Sequence, residues 1–349
     1  NYSCMKKKKY KELKFAIVGC GRISNKHFEA LLSFKSEVKL TAFCEIKKSK
    51  IYDIEHKYNI KGYSKMQDML ENEELDYVVL CTPSGYHSEQ AILASKYGVN
   101  VITEKPMATN MLDAKKMIKA CKKNKVKLFV VKQNRKNTTL QILKKAIDQK
   151  RFGKIKMVVV NVFWTRPQSY YNLAPWRGTK RLDGGALMNQ ASHYADLLTW
   201  LIGPISEVHS FNSKTLKIEA EDTGVVNIKW KNGAIGSMNY TMLTYPKNYE
   251  GSITILGTHG SATISGVAVN KISNWQFKDN KPYDKTIDSL SYSTKSVYGH
   301  GHKYYYRDFL DYLYSGDKSK IIDSIEGLKS LELITMAINS AEKKRTIKK

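Results

Sequence analysis

The sequence predicts an α/β chain in two parts. A Rossmann-type, doubly wound parallel sheet comes first, and an α+β part follows, built on a mainly antiparallel open sheet with helices on one face. Three observations carry this reading. Strand-like and helix-like runs alternate from Leu13 to Asn134, a G-x-G turn closes the first strand, and alternating-polarity runs succeed one another between Lys154 and Val269 with a single helical pattern among them. At 349 residues the chain suits two domains. The expected division is 1–136 for dinucleotide binding and 137–349 for substrate binding and oligomerisation.

The first strand, Leu13 to Val18, runs through Gly19, Cys20, Gly21, Arg22, Ile23 and Ser24 into an apolar helix from His27 to Phe34. Gly19 permits a sharp turn off the strand. Gly21 leaves room for a pyrophosphate to reach the backbone N–H groups at the helix start, where the helix dipole favours an anion. Ser24 stands where a third glycine is common, and it is small enough for close helix–strand packing. The second strand, Val38 to Cys44, ends at Glu45, about two dozen residues beyond Gly21, where a carboxylate accepts both hydroxyls of an adenosine ribose and repels a 2′-phosphate. The expected cofactor is therefore NAD rather than NADP.

Further strands are expected at Tyr77 to Cys81, Asn100 to Thr103 and Lys127 to Val131, with helices at His87 to Tyr97 and Met111 to Lys123. Ligands of such sheets sit at the carboxyl ends of the strands. There stand Thr82, Pro83 and His87, then Glu104, Lys105 and Pro106, then Lys132, Gln133, Asn134 and Arg135. In the second part, strands are expected at Lys154 to Phe163, Ile205 to Ser213, Gly224 to Trp230, Ala234 to Met242, Ser252 to Leu256 and Ser261 to Val269. Helices are expected at Thr139 to Gln149, Gly185 to Leu201, Lys303 to Tyr314 and Ile321 to Lys343. The polar stretch Lys271 to Tyr298 reads as a long mobile loop. A sheet covered on one face leaves the other for a second subunit, so a homodimer or homotetramer is expected.

The formal net charge is +26. Such a balance attracts polyanions, but the lysines are dispersed, with runs at Lys6 to Lys11 and Lys343 to Lys349, and no nucleic-acid-binding motif accompanies them. The charge reads as a surface bias with a contribution from binding an acidic small molecule, and neither nucleic acid nor membrane is an expected partner. No run approaches the ~20 apolar residues of a membrane span, and no cleavable signal pattern is evident, which predicts the cytoplasm. The five cysteines show no metal spacing and read as buried thiols. His300 and His302, beside Gly299 and Gly301, have no acidic or cysteine partner at ligand spacing and read as a glycine-rich loop before a helix, so no metal is expected.

Lys105, fixed by Pro106 at the end of a central strand, lies where a hydroxyl loses its proton as its carbon gives up hydride. Desolvated, it transfers a proton; solvated, it still donates a hydrogen bond to the forming alkoxide. His193 follows Asp183, Gly184 and Gly185 on an expected helix, with Asp196 three residues on along the same face. A neutral imidazole is an ordinary base for an alcohol. The residues leave open which of the two takes the proton; the preferred assignment is His193 as base with Lys105 polarising the hydroxyl.

Gly19 to Ile23, Cys81 to Pro83 with His87, Glu104 to Pro106, and Asp183 to Gly185 followed by His193 to Asp196 resemble, in order and spacing, the glucose-fructose oxidoreductase/inositol dehydrogenase (Gfo/Idh/MocA) family. Lys132 to Arg135, Asn161 to Gln168, Met188 to Tyr194 and Thr244 to Asn248 are similar to the subgroup that oxidises UDP-N-acetyl-glucosaminuronic acid at C3′ for surface polysaccharide synthesis. The resemblance implies an NAD-dependent dehydrogenase of a nucleotide sugar. It implies cofactor contacts at Gly19, Gly21, Arg22, Ile23, Ser24, Glu45, Thr82, Pro83, His87, Glu104, Lys105, Gln133, Trp176 and Arg177. Implied substrate contacts are Lys105, Lys132, Trp164, Arg166, Tyr170, Asn189, His193 and Tyr245, with Arg166 first among the groups suited to the acidic substrate. Many family members carry an aspartate where this chain has Asn189, which puts a proton relay through that position in doubt. The competing readings are a dehydrogenase of a free polyol or aldose and a non-catalytic, NAD-sensing binding protein.

Overall fold

The computed structural model describes residues 12–294, 299 and 301–349. Cys4, the run Lys6 to Lys11 and His300 lie outside them. The first part runs β1 (Leu13–Val18), α1 (Ser24–Leu32), β2 (Val38–Cys44), α2 (Lys48–Tyr58), β3 (Lys61–Tyr63), α3 (Met66–Asn72), β4 (Tyr77–Leu80), α4 (His87–Lys96), β5 (Asn100–Thr103), α5 (Met111–Lys123) and β6 (Leu128–Val130). Its strands form a parallel six-stranded sheet in the order β3-β2-β1-β4-β5-β6. β4 is buried throughout, as its unbroken apolar run requires of a strand covered on both faces.

The second part runs α6 (Thr138–Asp148), β7 (Ile155–Phe163), α7 (Gln168–Asn172), α8 (Ser192–Leu201), β8 (Ile205–Ser213), β9 (Thr223–Trp230), β10 (Ile235–Thr241), β11 (Glu250–Gly257), β12 (Gly260–Ser265), β13 (Lys271–Phe277), α9 (Gly301–Ser315), α10 (Ser324–Lys343) and β14 (Ile347–Lys348). These strands form an eight-stranded sheet, β13-β12-β11-β7-β10-β9-β8-β14, antiparallel except where β7 meets β10. Along β7 and β9 alternate residues face in opposite directions: Val158, Val160, Val162, Val226 and Ile228 are buried. Met157, Val225 and Ile235 on the other side are at least 40% exposed, so one face of this sheet stays open. Among the described residues no helix is long and apolar enough to cross a membrane.

Two expectations about elements need correction. The helix expected from Gly185 to Leu201 begins only at Ser192. Gly184 and Gly185 are left-handed, with φ of +84° and +103°, and the following amides are taken elsewhere: Leu187 N–H donates to Glu221 Oε1 at 2.8 Å and Ala186 N–H to the Glu221 carbonyl at 3.1 Å. With Gly185 outside the helical region and Ala191 N–H bonding Ala186 O five residues back, the chain turns instead of coiling, and a Cβ on Gly185 would lie 2.2 Å from Glu221 Oε2. The stretch read as a mobile loop from Lys271 carries β13 and a 3₁₀ segment, Pro282–Leu290. Buried Arg151 pins it, bonding Asp279 at 2.9 Å and Asp284 at 2.7 Å and lying over the Phe277 ring.

The sequence division at 136 does not separate the packing. Helix α9, late in the chain, lays Tyr305, Tyr306, Phe309 and Leu310 on the first sheet, where Phe309 meets the rings of Phe15, Tyr77 and Phe129 edge on. Across the crevice, Gly85 N–H donates to Leu182 O at 3.1 Å, and a Cβ on Gly85 would lie 2.3 Å from Arg181 O. The two parts thus meet backbone to backbone at the mouth of the site.

Candidate active site

At the end of β1, Gly19 has φ +87° and packs so closely on the β4 end that a Cβ would lie 2.7 Å from Thr82 Cγ2. A Cβ on Gly21, in contrast, would meet nothing within 4 Å. That is the open cradle a phosphate needs before a helix N-terminus. Arg22 is exposed, Ile23 directly precedes α1, and the buried Ser24 begins the helix and closes the turn, its Oγ donating to Gly21 O at 2.7 Å. Glu45 is drawn against this loop: Oε2 accepts Cys20 N–H and Oε1 accepts Lys47 N–H, each at 3.0 Å. The arrangement fits a dinucleotide.

The strand-end clusters converge, but their side chains divide the work differently from the sequence expectation. His87 is 1% exposed and its ring nitrogens face Pro106 O (3.0 Å) and Thr82 O (2.9 Å). It therefore clamps the Thr82–Pro83 turn to the loop behind Lys105. Thr82 Oγ1 donates to Gln90 Oε1 at 2.6 Å. Glu104 is likewise inside the wall, its carboxylate facing His27 Nε2 at 3.0 Å and His302 Nε2 at 3.3 Å. His302 thus has an acidic partner 198 residues away, which local spacing could not reveal; ligand-type atoms of His27, Glu104 and His302 lie within 4.8 Å of one another.

Lys105, joined to Pro106 by a cis peptide, reaches across to the second part, and its Nζ donates to Asn189 O at 3.0 Å. Asn189 is held in turn, its side-chain amide donating to Asp183 Oδ1, while Asp183 Oδ2 accepts Gly178 N–H at 2.6 Å. Asp183 is therefore an anchor for the segment facing the lysine, with its carboxyl raised by burial. Burial lowers Lys105 from the ordinary lysine range to about 8; Glu104 opposes and Lys132 adds to the fall. His193, at the start of α8, is 6% exposed. Burial, reinforced by the charge of Lys105, holds its imidazole well below the usual histidine range. Lys105 and His193 thus lie within each other's field.

Asp196 does not orient His193. It takes Arg135 in a two-pronged pair, Nε to Oδ2 and Nη2 to Oδ1, each at 2.7 Å, and sits 3.5 Å from Lys132 Nζ. Lys132 is 3% exposed and donates to Ser330 Oγ at 2.7 Å. It lies under the site as part of this ionic group. Gln133 beside it is fully buried, and neither of its amide atoms has a hydrogen-bond partner among the described residues. The same is true of Gln190, which the sequence reading passed over.

Two guanidinium groups flank Tyr170, Arg177 at 4.1 Å and Arg166 at 5.3 Å from the ring centroid. Arg177 also lies over Trp176, at 4.9 Å. Among the described residues Arg166 Nη1 bonds neutral acceptors, Thr165 O and Asn248 Oδ1, and no carboxylate pairs with it. Trp164 is 5% exposed and packs edge on to Tyr194, placing it in the core beneath Arg166. Tyr245 is 92% exposed. Its loop supports Arg166 through Asn248, but no contact ties the ring to Lys105.

The chain is 48% identical, at a TM-score of 0.93, to the WlbA dehydrogenase from Bordetella pertussis, whose crystal structure is a complex with NADH and UDP-GlcNAcA; the match covers 97% of this chain and 98% of that one. The corresponding complex of the Chromobacterium violaceum WlbA dehydrogenase is 49% identical, with a TM-score of 0.92 and coverage of 97% and 96%. Myo-inositol 2-dehydrogenase from Thermotoga maritima is 26% identical over 71% of this chain and 74% of its own length. Residues 13–132 match the NAD-binding Rossmann fold of the oxidoreductase family and residues 144–348 its C-terminal alpha/beta domain, so the chain belongs to the Gfo/Idh/MocA oxidoreductase family.

Proposed function

We propose that the protein is an NAD-dependent dehydrogenase that oxidises the C3′ hydroxyl of UDP-N-acetyl-glucosaminuronic acid to the 3-keto sugar nucleotide. The observation that carries this reading is near-half identity over 97% of the chain to two dehydrogenases solved with NADH and UDP-GlcNAcA. The site supports it with a lysine and a histidine of matched character on opposite walls. Bound NAD supplies the acceptor for the hydride that leaves C3′. His193, neutral at pH 7, takes the hydroxyl proton. Lys105, still an ammonium at pH 7, donates to the same oxygen and stabilises the charge that forms there. Gly21 and the start of α1 receive the cofactor's phosphates, Glu45 accepts its ribose hydroxyls, and Gln133 offers a buried amide to it. Arg166 and Arg177, both close to the Tyr170 ring, meet the negative charge of the substrate.

The test is direct: purified protein with NAD and UDP-GlcNAcA is followed at 340 nm, and the sugar product is weighed for the loss of two hydrogens. Turnover at least about 10²-fold faster than with myo-inositol or glucose is expected, because buried polar groups left unpaired by the wrong substrate penalise it. Equal or faster turnover of a free polyol would overturn the assignment.

The open face of the eight-stranded sheet supports a homo-oligomer. Met157, Val159, His209 and Ile235 line a concavity of about 450 Å³ there, and a second copy covers this apolar surface. Light scattering is expected to give the mass of two or four chains; the mass of one chain in dilute solution would refute it. A cytoplasmic site of action accords with four buried free thiols.

A further inference from the structure

Beneath Lys105 lies a buried group that the proposed reaction does not touch. Glu104 Oε2 accepts the Lys105 backbone N–H at 3.0 Å, while Oε1 faces His27 Nε2 at 3.0 Å and His302 Nε2 at 3.3 Å. The Tyr306 hydroxyl lies 2.8 Å from His27 Nδ1, and the two imidazoles meet edge to face at 5.1 Å. None of the four residues is more than 4% exposed. They come from distant places: His27 from the helix that opens the cofactor cradle, Glu104 from the end of β5, and His302 and Tyr306 from α9.

An ionised carboxylate only accepts, so both Nε2 atoms present N–H groups to it. In the His27 tautomer that protonates Nε2, Nδ1 is then left to accept from the Tyr306 hydroxyl. The Glu104 carboxyl is held well below its ordinary range: burial opposes ionisation, and the bonds from His27 and His302 outweigh it. A fixed anion in so dry a place acts on its neighbours more strongly than it would in water.

We propose that Glu104, locked by His27, His302 and Tyr306, is a positioning residue for Lys105, fixing the lysine's backbone and setting a negative charge beside its ammonium. Three charged groups and one neutral ring surround that ammonium. Glu104 and Asp183, the latter from the loop before α8, favour the proton; burial and Lys132, from the end of β6, disfavour it; and His193 faces it as a neutral ring. The inference rests on Lys105 acting as a proton-bearing donor, and its test reads the lysine separately from the reaction.

In the full-length protein, the rate at which trinitrobenzenesulfonate labels Lys105 is measured against pH, by mass spectrometry of the peptide that contains it. Glu104→Gln keeps the shape and removes the charge. The labelling midpoint is expected to fall by about one pH unit or more, and the alkaline limb of kcat/KM to move with it. His302→Leu, which removes one donor, is expected to shift the midpoint the same way, and His302→Gln, which restores an N–H, to return it toward the parent value. An unmoved midpoint in a Glu104→Gln protein that still binds NADH overturns the proposal. If that variant does not fold, identical midpoints in the two His302 variants overturn it instead. A midpoint that moves while the rate profile stays in place supports the positioning role and counts against Lys105 as the donor.

Discussion

Replacing Lys105 with methionine is expected to lower kcat/KM for UDP-GlcNAcA by about 10²- to 10⁴-fold, the range a positioned proton-handling group commands, with NADH binding unchanged by fluorescence titration. Its ammonium loses the proton near pH 8. If that proton is needed, kcat/KM of the parent enzyme falls as pH rises through about 8; if a neutral lysine were the base, it would climb there. His193 lies well below the ordinary histidine value, so it stays neutral through pH 6.5 and the acid limb falls below that point. Methionine at position 105 removes the decline near pH 8 along with most of the rate. A parent profile that climbs through pH 8 would exchange the roles of the two residues, and near-normal turnover in Lys105→Met would end the assignment of either.

Asp196→Ala is expected to be the most damaging substitution for stability, with a loss of about 3–5 kcal/mol. Burial works against the Asp196 charge, yet Arg135 and Lys132 hold its carboxyl below the ordinary range. Removing it leaves two cations, 5% and 3% exposed, without their shared carboxylate. Glu326 retains one bond to Arg135, at 3.0 Å, but among the described residues no carboxylate other than Asp196 pairs with Lys132. The change is read as a fall in thermal midpoint and in the denaturant concentration at half-unfolding. Because a charge pair replaced as a unit costs less than a charge left alone, Asp196→Leu combined with Arg135→Met is expected to recover part of the loss. An Asp196→Ala protein that melts within a degree of the parent would show that water reaches these cations.

Most of the architecture is legible in local pattern. The unbroken apolar run of β4, the alternation along β7 and β9, and the G-x-G turn each follow from which faces a strand must bury and which backbone angles a residue tolerates. Where local pattern misleads, a distant partner is responsible. Gly185 to Gln190 carries helical periodicity, but Gly184 and Gly185 are left-handed and Ala191 N–H bonds Ala186 O, out of helical register, while Glu221 holds the turn through the Ala186 and Leu187 amides. Lys271 to Leu290 has the composition of a loop, but Arg151 gathers its acidic groups and packs on Phe277.

The site divides in the same way. Gly21, Lys105 and His193 are marked by their neighbours in the chain, since the chemistry of a strand end or helix start is set within a few residues. Sequence does not show that Asp196 serves Arg135 and not His193, that Lys132 lies under the floor, or that His302 joins His27 at Glu104. On its own, the sequence determined the layering of the fold and singled out Lys105 and His193 as candidates to handle the proton, because backbone preference and side-chain chemistry are local properties. Only the tertiary structure decided which charges are paired, which rings are exposed and what holds Lys105 in place, because burial and electrostatic neighbours depend on chain segments up to 279 residues apart.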